Sequence, residues 1–120
     1  MNLRNLFKSS ENAREFQAGS TIFAEGEPPD VMYVILDGEV EVRVGSELVE
    51  VLGSGEILGE MALIDTNPRS ATAIAKSNSR LAPVDEKRFQ FMVQQTPFFS
   101  LYVMRVLATR LRKMNAQLDG

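Results

Sequence analysis

Val31-Met32-Tyr33-Val34-Ile35-Leu36-Asp37-Gly38-Glu39-Val40-Glu41-Val42-Arg43-Val44 carries the strongest β signal in the chain. Residues 31–36 run apolar, and Asp37-Gly38 then marks a tight hairpin. Residues 39–44 alternate strictly between charge and valine. Side chains on a strand alternate faces, so the valines are expected to meet a core and the charges water.

Working outward, Gly45-Ser46 is a second turn and Glu47 to Leu52 a further strand, closed by Gly53-Ser54-Gly55. Upstream, Thr21-Ile22-Phe23 reads as a short strand after the turn Ala18-Gly19-Ser20. Glu25-Gly26-Glu27-Pro28-Pro29-Asp30 reads as a loop, because its prolines remove donors and fix φ. Downstream, Ser70 to Lys76 is a strand rich in small residues, and Ser77-Asn78-Ser79 turns it into Arg80 to Val84. Strands at short, regular spacing from about 20 to 85 predict a sandwich or barrel.

The two ends are helical. Leu3, Leu6 and Phe7 have the spacing of a short amphipathic helix packed on the domain. Asp85 is a good N-cap for a helix over Glu86 to Gln95, and Thr96-Pro97 opens a second that runs toward Leu118. Leu101, Met104, Ala108, Leu111, Asn115 and Leu118 share one face of it at coiled-coil spacing. Phe99, Val103, Val106 and Leu107 lie elsewhere. One face is free to pack on the strands while the other meets a second helix, with Asn115 placed to fix register.

The chain has 120 residues, enough for one domain and one core, and a net charge of −3. That charge gives no support for nucleic acid as a partner. With no cysteine and no histidine, disulfides, thiolate sites, serine–histidine triads and histidine-ligated metals are excluded. Nothing approaches the roughly 18 apolar residues of a membrane span, and the start lacks a signal peptide's apolar core, so the expected location is cytoplasmic.

The chemistry concentrates in Gly55-Glu56-Ile57-Leu58-Gly59-Glu60-Met61-Ala62-Leu63 and, past a polar loop, Pro68-Arg69-Ser70-Ala71-Thr72-Ala73. A glycine turn feeding a short helix presents unpaired N–H groups and the positive end of the helix dipole, a setting for an anion. Arg69 offers the same anion a fork-shaped cation. Glu60, as a carboxylate, accepts from a neutral hydroxyl. Together these suggest a sugar phosphate. Read singly, the residues have plainer accounts. Arg69 could sit in a strand-edge ion pair, Glu60 could merely favour a helix start, and Ser70 could be a polar strand residue. Arg105, Arg110, Arg112 and Lys113 read as a solvated basic face near a helix C-terminus.

This stretch resembles the phosphate-binding cassette of the cyclic nucleotide-binding domain family, and the likeness covers roughly 16–118. Gly59-Glu60-Met61-Ala62-Leu63 with Pro68-Arg69-Ser70-Ala71 carries it. Gly19, Gly26-Glu27, Tyr33, Asp37-Gly38 and Gly55 add to it. The resemblance implies a jelly-roll β-roll of eight strands over about 16–85, with flanking helices over about 86–118, in a single domain of residues 1–120. It implies that Arg69 pairs with the cyclic phosphate and that Glu60 accepts the ribose 2′-hydroxyl. Backbone N–H groups at Glu60, Met61 and Ala62 after Gly59, and near Ala71, line the pocket, and Ser70 adds a hydroxyl. Asn115 falls about where some relatives read the base, but it serves helix pairing equally well.

The reading is therefore a non-enzymatic module for cyclic AMP, with cyclic GMP as the alternative ligand; Ser70 in place of threonine leans toward adenine by the same resemblance. No metal or further cofactor is expected. Occupancy of the cassette is expected to bias the C-terminal helix, which would also form a homodimer. Two other classes compete: a β-roll interaction protein that has lost nucleotide binding, and a cupin-type enzyme, for which histidine ligands are missing. No DNA reader is expected after the final helix.

Overall fold

The structure is a computed structural model that describes the backbone of residues 3–7 and 11–119 and the side chains of 3–7 and 11–113. Its strands are β1 (Arg14–Phe16), β2 (Thr21–Phe23), β3 (Met32–Asp37), β4 (Val40–Val44), β5 (Glu47–Leu52), β6 (Ile57–Leu58), β7 (Thr72–Ala75) and β8 (Ser79–Val84). They form two four-stranded sheets, ordered β1-β8-β3-β6 and β2-β7-β4-β5. The helices are α1 (Leu3–Phe7), α2 (Glu86–Gln95) and α3 (Pro97–Asp119), and a 3₁₀ helix spans Glu60–Leu63. This is the expected jelly roll with C-terminal helices.

The apolar run is β3, and it is buried on both faces. Met32, Val34 and Leu36 pack with Leu3, Phe7, Phe99 and Val103 from the helices. Tyr33 and Ile35 pack with Val40, Leu52 and Ala73 from the opposite sheet. One strand thus divides two cores, which is why its pattern never alternates.

Asp37-Gly38 is a turn but not a hairpin. It carries the chain from β3 in one sheet to β4 in the other, and the two strands do not pair. Gly38 takes φ +95, and a Cβ there would lie 2.4 Å from Ser79 Oγ and 2.6 Å from Asn78 O. The second crossing, from β7 to β8, passes against the first: Lys76 N–H donates to Glu39 O at 2.8 Å. The true two-residue hairpin is Gly45-Ser46, where β4 and β5 pair through Val44 and Glu47.

The valine alternation of β4 fades along the strand. Val40 is fully buried and Val44 is 48% exposed. β7 pairs with β4 only as far as Arg43, so Val44 lies beyond that pairing at the end of the strand. Two strands escaped the sequence pattern. β1 has only three residues, and β6 only two, inside what reads as a glycine turn. Both are edge strands held by register with β8 and β3.

The helices follow their local signals. Asp85 Oδ1 accepts from Arg88 N–H at 2.8 Å, the expected N-cap of α2. In α3, Phe99 and Val103 are buried against the first core, while Leu101, Met104, Ala108 and Leu111 are exposed. The side chains of Asn115 and Leu118, which complete the exposed face in the sequence, lie outside the described residues.

Candidate functional site

Gly59 sits between β6 and the 3₁₀ helix with φ +72, a left-handed conformation that glycine adopts freely. The helix that follows has four residues. One such turn aligns too few peptide dipoles to act as a macrodipole, so the dipole expected from the sequence is not available here. What it offers is local. The N–H groups of Glu60 and Met61, first in the helix, have no acceptor within it. The Ala62 N–H does not remain free as expected; it donates to Gly59 O at 3.1 Å.

Arg69 reaches this turn from the loop before β7. Its side chain is 5% exposed. Nη2 donates to Val31 O at 2.7 Å and to Asp30 Oδ1 at 3.1 Å, and Nη1 donates to Gly59 O at 3.3 Å. The guanidinium carbon lies 4.1 Å from the centroid of the Phe23 ring. The backbone anchors the residue as well: Arg69 N–H donates to Glu27 O, and Gly26 N–H donates to Arg69 O, each at 2.9 Å. The Gly26-Glu27 loop therefore fixes where the guanidinium stands. Nε is buried with no hydrogen-bond partner among the described residues.

Glu60 is 3% exposed. Its Oε1 accepts from Arg110 Nη1 on α3. Its Oε2 is buried without a partner among the described residues. The two orphaned side-chain atoms are thus a donor on Arg69 and an acceptor on Glu60, both at the same turn. Buried polar groups ordinarily find partners, so this donor and this acceptor are available to a partner outside the described residues, whether water or ligand. The residues around Gly59 fit a group bearing an anion and a hydroxyl.

The remaining sequence candidates divide. Met61 and Ser70 are exposed, and Ala62 and Ala71 are half-buried. The Asn115 side chain lies outside the described residues.

Arg110 corrects the sequence reading, which placed it on a solvated basic face. Besides Glu60, it donates from Nη2 to Ile57 O at 3.2 Å and brings Nε to 3.8 Å from Glu50 Oε2. Burial pulls its guanidinium below the ordinary value, opposed by Glu50 and Glu56. Asp30 and Phe23, which position Arg69, were also not singled out. Nothing in local spacing announces any of the three. Their roles arise from contacts across 39, 46 and 50 positions of sequence, in the Asp30–Arg69, Phe23–Arg69 and Glu60–Arg110 pairs.

The family model for the cyclic nucleotide-binding domain matches residues 13–96. A CRP-like cAMP-activated global transcriptional regulator of Mycobacterium tuberculosis is 34% identical over 109 residues, 87% of this chain and 49% of that protein. The chain thus spans about half the length of that regulator. The catabolite activator protein of Thermus thermophilus superposes with a TM-score of 0.80 at 28% identity, over 89% of this chain and 53% of that one. The EAL enzyme Bd1971 superposes in a cAMP-bound form at 36% identity and TM-score 0.64, over 86% of this chain and 29% of its own. Its cGMP-bound form does so at 34% identity and TM-score 0.66, over 88% and 29%. With its fold, its cassette and these likenesses in agreement, the chain belongs to the cyclic nucleotide-binding domain family.

Proposed function

We propose that this chain is a non-enzymatic regulatory module that binds cyclic AMP at the Gly59 turn and passes occupancy to α3. The observation that carries the reading is the orphaned pair, Arg69 Nε and Glu60 Oε2. A cyclic phosphodiester has one negative charge and no proton to lose near neutral pH, so one guanidinium balances it. Its ribose carries a hydroxyl of the kind a buried carboxylate accepts. Arg69, Ser70, Ala71 and the N–H groups of Glu60 and Met61 form the phosphate side, and Glu60 forms the ribose side.

Coupling follows from Glu60 being shared. The carboxylate that would take the ribose hydroxyl also holds Arg110 of α3. A ligand that binds better with one placement of Arg110 shifts the helix toward it. The exposed face Leu101, Met104, Ala108 and Leu111 then supplies a homodimer seam. The reading carries with it a cytoplasmic location and no nucleic-acid contact from these residues alone.

Calorimetry with cyclic AMP tests it. Wild type should bind, and Arg69→Ala should bind at least about tenfold more weakly, equivalent to about 1.4 kcal/mol. No heat with wild type at millimolar nucleotide would favour the β-roll as an interaction protein instead. Equal binding by both proteins would put the anion elsewhere.

A further inference from the structure

The turn that follows β2 clamps the main chain of Arg69 from both sides. Gly26 N–H donates to Arg69 O, and Arg69 N–H donates to Glu27 O, each at 2.9 Å. The turn starts next to Phe23, whose ring lies 4.1 Å from the guanidinium carbon. Wherever this turn stands, Arg69 stands with it. Its own closure is slight. Residues 25–28 are exposed, Gly26 has φ +85, and Glu27 N–H donates to Ala24 O at 3.2 Å. A surface turn of this kind is held in place by the scaffold it touches.

Glu25 makes two such contacts. Its N–H donates to Thr72 Oγ1 on β7 at 3.1 Å. Its Oε1 accepts from Gly45 N–H, in the turn between β4 and β5, at 2.7 Å. The partners are 47 and 20 positions away, and β4 and β7 pair with each other, so both anchors belong to one sheet. We infer that Glu25 is a positioning residue for the anion site: its carboxylate moors to the β4–β5 hairpin the turn that sets Arg69. The donor at Gly45 is main chain, so the contact survives alanine there and is lost when the Glu25 side chain is removed. The sign of the effect separates this role from that of a charge. As a bare charge beside an anion site, Glu25 would repel the phosphate, and its removal would tighten binding. As a mooring, its removal weakens binding.

This inference rests on the proposed ligand. Its test is calorimetry of the full chain with cyclic AMP. Glu25→Ala should bind about threefold to fivefold more weakly than wild type, the value of one hydrogen bond. Glu25→Gln loses the charge but keeps an Oε1 acceptor, and should bind at least as tightly as wild type. In an Arg69→Ala background Glu25→Ala should cost nothing further, because the turn then has no guanidinium to set; a purely structural role would weaken both backgrounds alike. Glu47→Ala removes a carboxylate from the far side of the same hairpin and should leave affinity unchanged. Unchanged or tighter binding in Glu25→Ala overturns the assignment while leaving the ligand intact. So does an equal loss in Glu25→Gln or in Glu47→Ala, or the same loss with and without Arg69. Failure of wild type to bind overturns the ligand and the assignment together.

Discussion

Replacing Gly59 by alanine perturbs the site in two separable ways, and Gly45 supplies the control. Both glycines have positive φ, +72 at Gly59 and +61 at Gly45. An L residue in that region costs about 1–2 kcal/mol, so Gly45→Ala should destabilise by that amount and no more. A Cβ on Gly45 meets nothing within 4 Å. At Gly59 the same atom would lie 2.6 Å from Arg69 Nη1 and 3.2 Å from Phe23 Cε2. The guanidinium must move, weakening its hydrogen bond to Gly59 O, worth about 1 kcal/mol, and its cation–π contact, worth about 0.5–2 kcal/mol. Gly59→Ala should therefore lose about 2.5–5 kcal/mol if both contacts go. Urea unfolding measures both variants, and calorimetry with cyclic AMP should find affinity kept in Gly45→Ala and reduced at least about tenfold in Gly59→Ala. Equal destabilisation of the two with unchanged affinity in both would refute the idea that the Gly59 turn exists to seat the guanidinium.

Arg110→Ala leaves the Glu60 carboxylate buried without its cation. Breaking a fully buried pair costs about 3–5 kcal/mol; because the Arg110 side chain is 29% exposed, about 1–3 kcal/mol is expected by urea unfolding. Arg112→Ala, on an exposed position, should stay within about 0.5 kcal/mol, and parity between the two would remove Arg110 from the coupling scheme. Leu111, 58% exposed, should anchor a homodimer, so Leu111→Glu should lower the mass measured by sedimentation; a wild-type monomer at all concentrations would remove the seam. Burial raises the Tyr33 phenol above its ordinary 10.0, with Asp30 adding to the rise and Arg14 and Arg69 opposing it. The folded state then holds its proton more tightly than the unfolded chain does. That contribution to stability is complete below about pH 10 and declines as pH climbs through the raised value. Urea midpoints should fall above about pH 10 in wild type and fall less in Tyr33→Phe; parallel curves would show that Tyr33 is not responsible.

Local chemistry alone determined the parts of this protein that local chemistry controls. The strand Thr21–Phe23, the strand Glu47–Leu52 and the helix Glu86–Gln95 were readable residue for residue, because alternation, turn glycines and an aspartate cap act over a few neighbours. Gly59, Glu60 and Arg69 were singled out by residue type and spacing, and the structure brings Arg69 onto the Gly59 turn beside Glu60; that they hold a nucleotide is our proposal. What tertiary structure decided is partnership. Asp37-Gly38 signals a reversal, but the reversal leads into another sheet, where Gly38 lies close against Ser79 and Asn78, about forty positions away. Arg110 has the sequence context of a solvated cation and the position of the residue that closes on Glu60. Whether a charge meets water or a buried carboxylate is set by which surfaces are brought together, and no window of neighbouring residues contains that information.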